Sequence, residues 1–369
     1  MLKDKHFWLL SIILLGLAMG LILIFLFIGP VYSPVDESVL TSKLEPIEFV
    51  SAKDEQVVVK QPDPIKFFFV GDIMLDRNVG KVISTEGFDY LFSSLANDFF
   101  ESYDLVSANL ESAVTADGAH YLPNNKYDFA ISPDLLQKLT QKGFNFFTIA
   151  NNHIADQGQN GLEETRELLD LAEVNYVGCN DKQVGDCSIK IIEIKDKKIG
   201  LAGFSMVYGR FDEPQGLAMI RELASSTDLV VVNIHWGVEY EHYYNTTQQN
   251  LAHDLIDAGA DIIIGHHPHV VQGMEIYNGK PIFYSLGNFI FDQYFSEETQ
   301  EGLGVEIEFD AEVLNFKLLP FVSKNSQPSL KNSSDKVKFL ENFALWSKAT
   351  GDFKNDLLTG EFSLKNIYE

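Results

Sequence analysis

Three histidines fall within Gly265-His266-His267-Pro268-His269, and imidazoles presented side by side suit a divalent transition metal. The loop follows Asp261-Ile262-Ile263-Ile264, an apolar run without helical period. That predicts a buried strand, ended by Gly265 where the chain turns sharply. Open α/β sheets hold their ligands at such carboxyl ends. In an extended loop His267 and His269 would project the same way, and Pro268 favours this by steering His267 out of the α region. His266 can stand in for His267 as a ligand, and the sequence does not choose between them.

Other chemistry-bearing residues recur in the same setting. Residues 65–70 read as a strand with Asp72 at its tip, residues 104–108 deliver Asn109-Leu110-Glu111, and residues 144–150 deliver Asn151-Asn152-His153. Residues 228–233 lead into Ile234-His235-Trp236-Gly237. Helices are expected over 88–101 from the spacing of its aromatics, from Pro133 to Lys142, over 162–173 and over 246–258. A hairpin is expected over 188–204, turning at Lys195-Asp196-Lys197-Lys198, and strands over 303–309 and 314–321. After Ser323 the chain turns polar, with one helix expected over 337–348. Alternating strands and helices imply a largely parallel sheet with antiparallel additions.

A parallel sheet would gather Asp72, Glu111, Asn152, His153, His235, His267 and His269 on one edge. One metal takes three or four protein ligands, so six mixed carboxylate, amide and imidazole candidates suggest two ions bridged by a carboxylate. Ordinary structural uses compete: Asp72 can cap the next turn, and Asn109 or Asn151 can bond a loop backbone. Trp236 reads as core or pocket wall, and His242 and His253 as surface residues. Ser285 lacks the G-x-S-x-G setting of a serine nucleophile.

The chain has 369 residues, 46% apolar and 22% charged, an ordinary globular balance. A net charge of −25 argues against nucleic acid and anionic membrane surfaces as partners, so an acidic ligand would need a local cation. Residues 7–29 form an uncharged 23-residue run, long enough to span a hydrocarbon core of about 30 Å. Its length favours a retained anchor over a cleaved signal, and Lys3 and Lys5 ahead of it place the N-terminus in the cytoplasm and the bulk of the chain outside. Residues 30–64 read as a linker. Cys179 and Cys187 either form a bridge, worth about 2.5 kcal/mol on the chain-entropy account, or remain free thiols.

Six motifs taken in order resemble the CapA family of capsule and poly-gamma-glutamate synthesis proteins. They are Gly71-Asp72-Ile73-Met74, Asn109-Leu110-Glu111, Asn151-Asn152-His153, His235-Trp236-Gly237-Val238-Glu239, the segment from Gly265 to Gln272, and Tyr284-Ser285-Leu286-Gly287-Asn288-Phe289-Ile290-Phe291. That family is similar in turn to the calcineurin-like metallophosphoesterases. The resemblance implies a four-layer α/β sandwich over residues 65–323 behind an N-terminal transmembrane helix, with 324–369 as an extension. It implies two divalent ions (Mn, Zn or Fe) on Asp72, Glu111, Asn152, His235, His267 and His269, with His153 catalytic. Two positions depart from the phosphoesterase pattern: Met74 replaces a histidine, and Glu111 replaces the bridging aspartate. The function implied is an anchored, outward-facing metal-dependent hydrolase or transferase of capsule or poly-gamma-glutamate biosynthesis. The alternatives are a phosphoesterase and a non-catalytic accessory subunit that binds an anionic polymer beside membrane-embedded synthase subunits.

Overall fold

The computed structural model describes residues 63–122, 126–310 and 312–365, all within one compact unit, Gln61–Glu369. The expected membrane anchor, at residues 7–29, lies outside the described residues. In chain order the first half comprises β1 (Ile65–Ile73), α1 (Arg77–Glu86), β2 (Leu105–Leu110), β3 (Ala113–Val114), β4 (Ala130–Ile131), α2 (Pro133–Gln141), β5 (Phe146–Thr148), α3 (Gly158–Leu171) and β6 (Asn175–Val177). The middle comprises β7 (Ile189–Ile194), β8 (Lys197–Ser205), α4 (Glu213–Ser226), β9 (Leu229–His235), α5 (Thr246–Asp257), β10 (Ile262–His266), β11 (Met274–Tyr277), β12 (Lys280–Phe283) and β13 (Asn288–Ile290). The chain closes with β14 (Glu301–Phe309), β15 (Val313–Lys324), β16 (Gln327–Leu330), α6 (Ser333–Trp346), α7 (Gly351–Thr359) and β17 (Glu361–Lys365).

Apart from the parallel pair β3-β4, these strands form two large mixed sheets. One runs β16-β15-β14-β1-β2-β5-β6, with β13 beside β1 and β17 beside β15; the other runs β11-β12-β10-β9-β8-β7. The chemistry-bearing strands β1, β2, β5, β9 and β10 sit in the parallel parts of the two sheets. Their near-continuous apolar runs follow from burial on both faces. Phe67, Phe69, Leu105 and Phe146 of the first sheet meet Leu201, Val231 and Ile264 of the second in a shared core. The alternating residues Phe68, Val70, Val106 and Phe147 point the other way, onto Val79, Leu136 and Leu162 of α1 to α3. Val230, Val232 and Ile263 likewise pack on Ile220, Leu223 and Leu251 of α4 and α5. The layers are therefore helices, sheet, sheet, helices.

Several sequence expectations need correction. Residues 88–101 form a short 3-10 turn, Phe88–Phe92, followed by further turns, and the helix lies earlier as α1. The aromatic spacing that suggests a helix serves a cluster in which Phe92, Phe99, Phe100 and Phe144 contact one another. Helix α4 has no counterpart in the expectations. The polar segment after Ser323 returns two strands to the first sheet and buries Phe339 and Phe343 of α6 in the shared core. His242 and His253 are half-buried rather than free on the surface: His242 stacks on Trp346 with ring centroids 4.0 Å apart, and His253 pairs with Glu275 at 2.5 Å. Trp236 is buried and donates to the Tyr284 carbonyl, as a core residue does. Cys179 and Cys187 are bridged, with Cα atoms 5.3 Å apart.

Candidate metal centre

Both sheets bring their carboxyl ends to one place. Gly71 precedes Asp72 because a Cβ there would come within 1.8 Å of the Gly287 carbonyl oxygen. Without it, β13 lies alongside and Gly287 accepts from the Asp72 amide at 3.0 Å. Asp72 thus stands in register between Asn109 of β2 and Asn288 of β13.

Asn109 is the hub of the first sheet's contribution. Its Nδ2 donates to Asp72 Oδ1 at 2.9 Å and Glu111 Oε2 at 3.1 Å, while its Oδ1 accepts from Asn151 Nδ2 at 3.0 Å. Asn151 in turn accepts from the His153 amide and so sets the loop that carries Asn152 and His153. All of Asp72, Asn109, Glu111 and Asn151 are fully buried. Asn109 therefore serves the side-chain network, while Asn151 joins it and also bonds loop backbone, at the His153 amide and the Leu110 carbonyl. The alternation of Asn109 and Glu111 onto one face is the pattern that could have marked this hub.

From the second sheet, His235 ends β9 in register with His266 of β10, and its Nε2 lies 2.8 Å from Asn152 Oδ1. The histidine loop is not extended. His267 and His269 adopt φ of 99° and 57°, values costly for a side chain with a Cβ and held here by the surrounding packing. His269 Nδ1 bonds Asn288 Oδ1 at 3.0 Å and stands 3.4 Å from Asp72 Oδ2, and its Nε2 is 3.7 Å from Glu111 Oε1. His266 Nδ1 is 3.3 Å from Asp72 Oδ1, and the His267 ring is 4.9 Å from that of His235.

All seven residues expected from sequence thus converge. Two triads have ligand atoms within 4.8 Å of one another: Asp72, Glu111 and His235, all buried, and Glu239, His267 and His269, of which Glu239 is exposed. Glu239 carried no signal in the sequence beyond its place in a motif.

The donor set fits divalent cations. Asp72 Oδ2, Glu111 Oε1, His267 Nδ1 and both His266 nitrogens are buried without a hydrogen-bond partner among the described residues, and such orphaned groups cost free energy unless a cation or water meets them. The ion pairs that reach Asp72 and Glu111 come from histidines alone among the described residues. Burial would raise the Asp72 carboxyl, but His266 and His269 outweigh it and hold the group well below the usual carboxylate range. Burial and the Asp72 charge push Glu111 well above that range. Burial lowers His235 well below its ordinary value and, with the neighbouring His269, lowers His267 to about 3. Against its own burial, His269 is raised to about 9 by the Glu111 and Asp72 carboxylates.

A cavity of about 640 Å³ opens over His153 and His269, walled by Phe129, Tyr208, Tyr240 and Phe295 among others. His153 Nδ1 bonds Asp156 Oδ2 at 2.8 Å and the ring packs on Phe129, 4.2 Å between centroids. Its Nε2 lies 3.9 Å from Glu111 Oε1, beyond hydrogen-bond distance. Arg77 also lines the cavity and is clamped by Asp292. The wall at Tyr208 is held from behind: Asp181, inside the bridged Cys179–Cys187 loop, accepts from the Ser205 hydroxyl and from the Val207 and Tyr208 amides.

Two buried mixed sheets whose joined edge presents carboxylates, amides and imidazoles define an α/β sandwich with a candidate metal-binding edge. Residues 66–293, more than half of the chain, match the family described as bacterial capsule synthesis protein PGA_cap, and the chain belongs to that family. It is 29% identical to the capsule biosynthesis protein CapA of Bacillus anthracis, over 84% of this chain and 80% of that one. It is 33% identical to the PGA biosynthesis protein CapA of Bacillus subtilis, over 68% of this chain and 70% of that one. Among solved structures it is similar to a novel phosphatase of Mycoplasma pneumoniae at 15% identity and a TM-score of 0.42, over 73% and 92% of the two chains. A likeness at that score adds nothing to the geometry above.

Proposed function

We propose that this protein is a metal-dependent hydrolase or transferase of capsule or poly-gamma-glutamate biosynthesis, anchored by residues 7–29 with its main domain outside the cell. The observation that carries the catalytic reading is His153, fixed by Asp156 and a ring contact at the mouth of the cavity with Nε2 directed at no hydrogen-bond acceptor. A histidine fixed in this way suits proton transfer at a bound substrate, and that favours catalysis over retention of an anionic polymer alone. Two divalent ions on Asp72, Glu111, Asn152, His235, His267 and His269 would supply Lewis-acid charge at the scissile acyl or phosphoryl group.

The chain's own residues then divide the remaining work. Asp156 holds His153 Nδ1, so Nε2 of the protonated ring is the atom that gives a proton to the leaving group. Asn109 and Asn288 orient Asp72 and His269, and aromatic side chains line the approach to them. The net charge of −25 disfavours bulk attraction of an anionic polymer, which assigns its capture to the metals and to contacts with membrane-embedded synthase subunits.

The test compares His153→Ala with Asp72→Ala in a strain lacking the protein, with metal content measured in parallel. His153→Ala is expected to keep its ions and fold while losing about 10² to 10⁴ in rate, and Asp72→Ala to lose both metal and polymer. Normal polymer from His153→Ala with metal retained would remove catalysis and leave a binding role. For the topology, a reporter active only in the cytoplasm, fused after Glu369, should be silent, and activity there would overturn the outward placement.

A further inference from the structure

We propose that Glu239 is a metal ligand, completing with His267 and His269 a second cation site in place of the histidine that Met74 has displaced. The inference rests on the reading of the cluster as a divalent metal centre. Met74 is fully buried, and its Sδ accepts from the Asp76 amide at 3.1 Å, so the thioether is occupied and offers no hard donor. A dinuclear centre with that position lost needs a donor from elsewhere.

Glu239 lies on the loop after β9, and that loop is fastened to the histidine loop at both ends. The Trp236 amide donates to the His266 carbonyl at 3.1 Å, and the Tyr240 amide to the Pro268 carbonyl at 2.8 Å. Between them Gly237 takes φ of 95°, where a Cβ would meet Gln248 Nε2 at 2.7 Å. Gln248 and Gln272 brace the turn from beneath, with Gln272 donating to the Glu241 carbonyl. The carboxylate is thereby held with its oxygen within 4.8 Å of ligand nitrogens of both His267 and His269.

The second observation is independent of the acid. His267 is 4% exposed, and its Nδ1 is buried with no hydrogen-bond partner. Two imidazoles and one carboxylate form a donor set for a first-row ion such as Mn²⁺, Fe²⁺ or Zn²⁺ and leave positions open. The buried triad has no comparable opening: Glu239 is the exposed member and lines the cavity. The ion it holds is the one a substrate reaches.

The purified full chain, stripped with a chelator, is titrated with Mn²⁺ and, by competition with a chromophoric chelator, with Zn²⁺. Wild type is expected to take two ions. Glu239→Gln should keep one tight ion and weaken the other at least about tenfold, since even an outer partner of a ligand is worth that much. Glu239→Asp should recover part of the loss, and Glu312→Gln, an exposed carboxylate elsewhere, should match wild type. Two equal isotherms for wild type and Glu239→Gln overturn the assignment of Glu239 and leave the proposed function standing. Failure of wild type to take any ion overturns both.

Discussion

The two sheets contribute opposite halves of one site. The first delivers Asp72, Asn109, Glu111, Asn151 and Asn152, and the second delivers His235, His266, His267 and His269. Neither half is tolerable alone: two carboxylates buried to 0% exposure need cationic or protonated neighbours, and a cluster of buried imidazoles repels further charge. His153 is the exception, an imidazole on the acidic side, and its ring bonds a carboxylate outside the cluster, Asp156 at 2.8 Å, while it stands 3.9 Å from Glu111. The division explains how the protons are arranged. Asp72 stays ionised because it meets two histidines, while burial and the Asp72 charge raise Glu111 and the two carboxylates raise His269.

This comparison breaks most visibly if a single histidine can be removed without loss. His235→Ala or His269→Ala should lower bound metal to half or less, read by elemental analysis of the purified chain, because each takes a ligand from the imidazole half. Unchanged content in both variants would mean that the acidic half suffices.

The acidic half is probed through its hub. Asn109→Leu keeps the volume but strips Asp72, Glu111 and Asn151 of a partner, and it should destabilise the domain by about 3 kcal/mol or more in denaturant unfolding. A loss under about 1 kcal/mol would show that the amide is dispensable to the network.

The smallest effect is in pH. His269, raised to about 9, contributes stability that is fully present below its unfolded value of about 6.5 and is lost as pH climbs through 9. Chelator-treated protein should therefore melt at progressively lower temperature between those limits, while metal affinity rises over the same range as the proton leaves. A flat melting profile would separate His269 from the carboxylates.

Much of this site was legible because its strands are buried on both faces. Residues 65–70, 104–108, 228–233 and 261–264 read as apolar runs, and any polar residue at their ends stands out. The hidden parts are those whose pattern serves another purpose. Helix α1 carries helical spacing in Val79, Val82 and Ile83 but is only 10 residues long and mostly polar, and the aromatics after it pack as a cluster rather than along a helix face. The left-handed backbone at His267 and His269 is imposed by β13 and the loop after β9, neither of which is adjacent in sequence. Glu239, polar and exposed on a turn, looks like any surface acid until the histidine loop is placed beneath it.

The Cys179–Cys187 bridge lies on none of the candidate metal ligands, yet it closes the loop whose Asp181 anchors the amides of Val207 and Tyr208. Tyr208 is 67% exposed, and its hydroxyl makes a long contact, 3.5 Å, with Asn152. Its position is therefore inherited from a covalent clasp behind it rather than from packing around it. Such a clasp persists in oxidising surroundings and opens in reducing ones. The candidate ligand cluster thus answers to protons, while the support behind the facing wall is a bond that reduction would open.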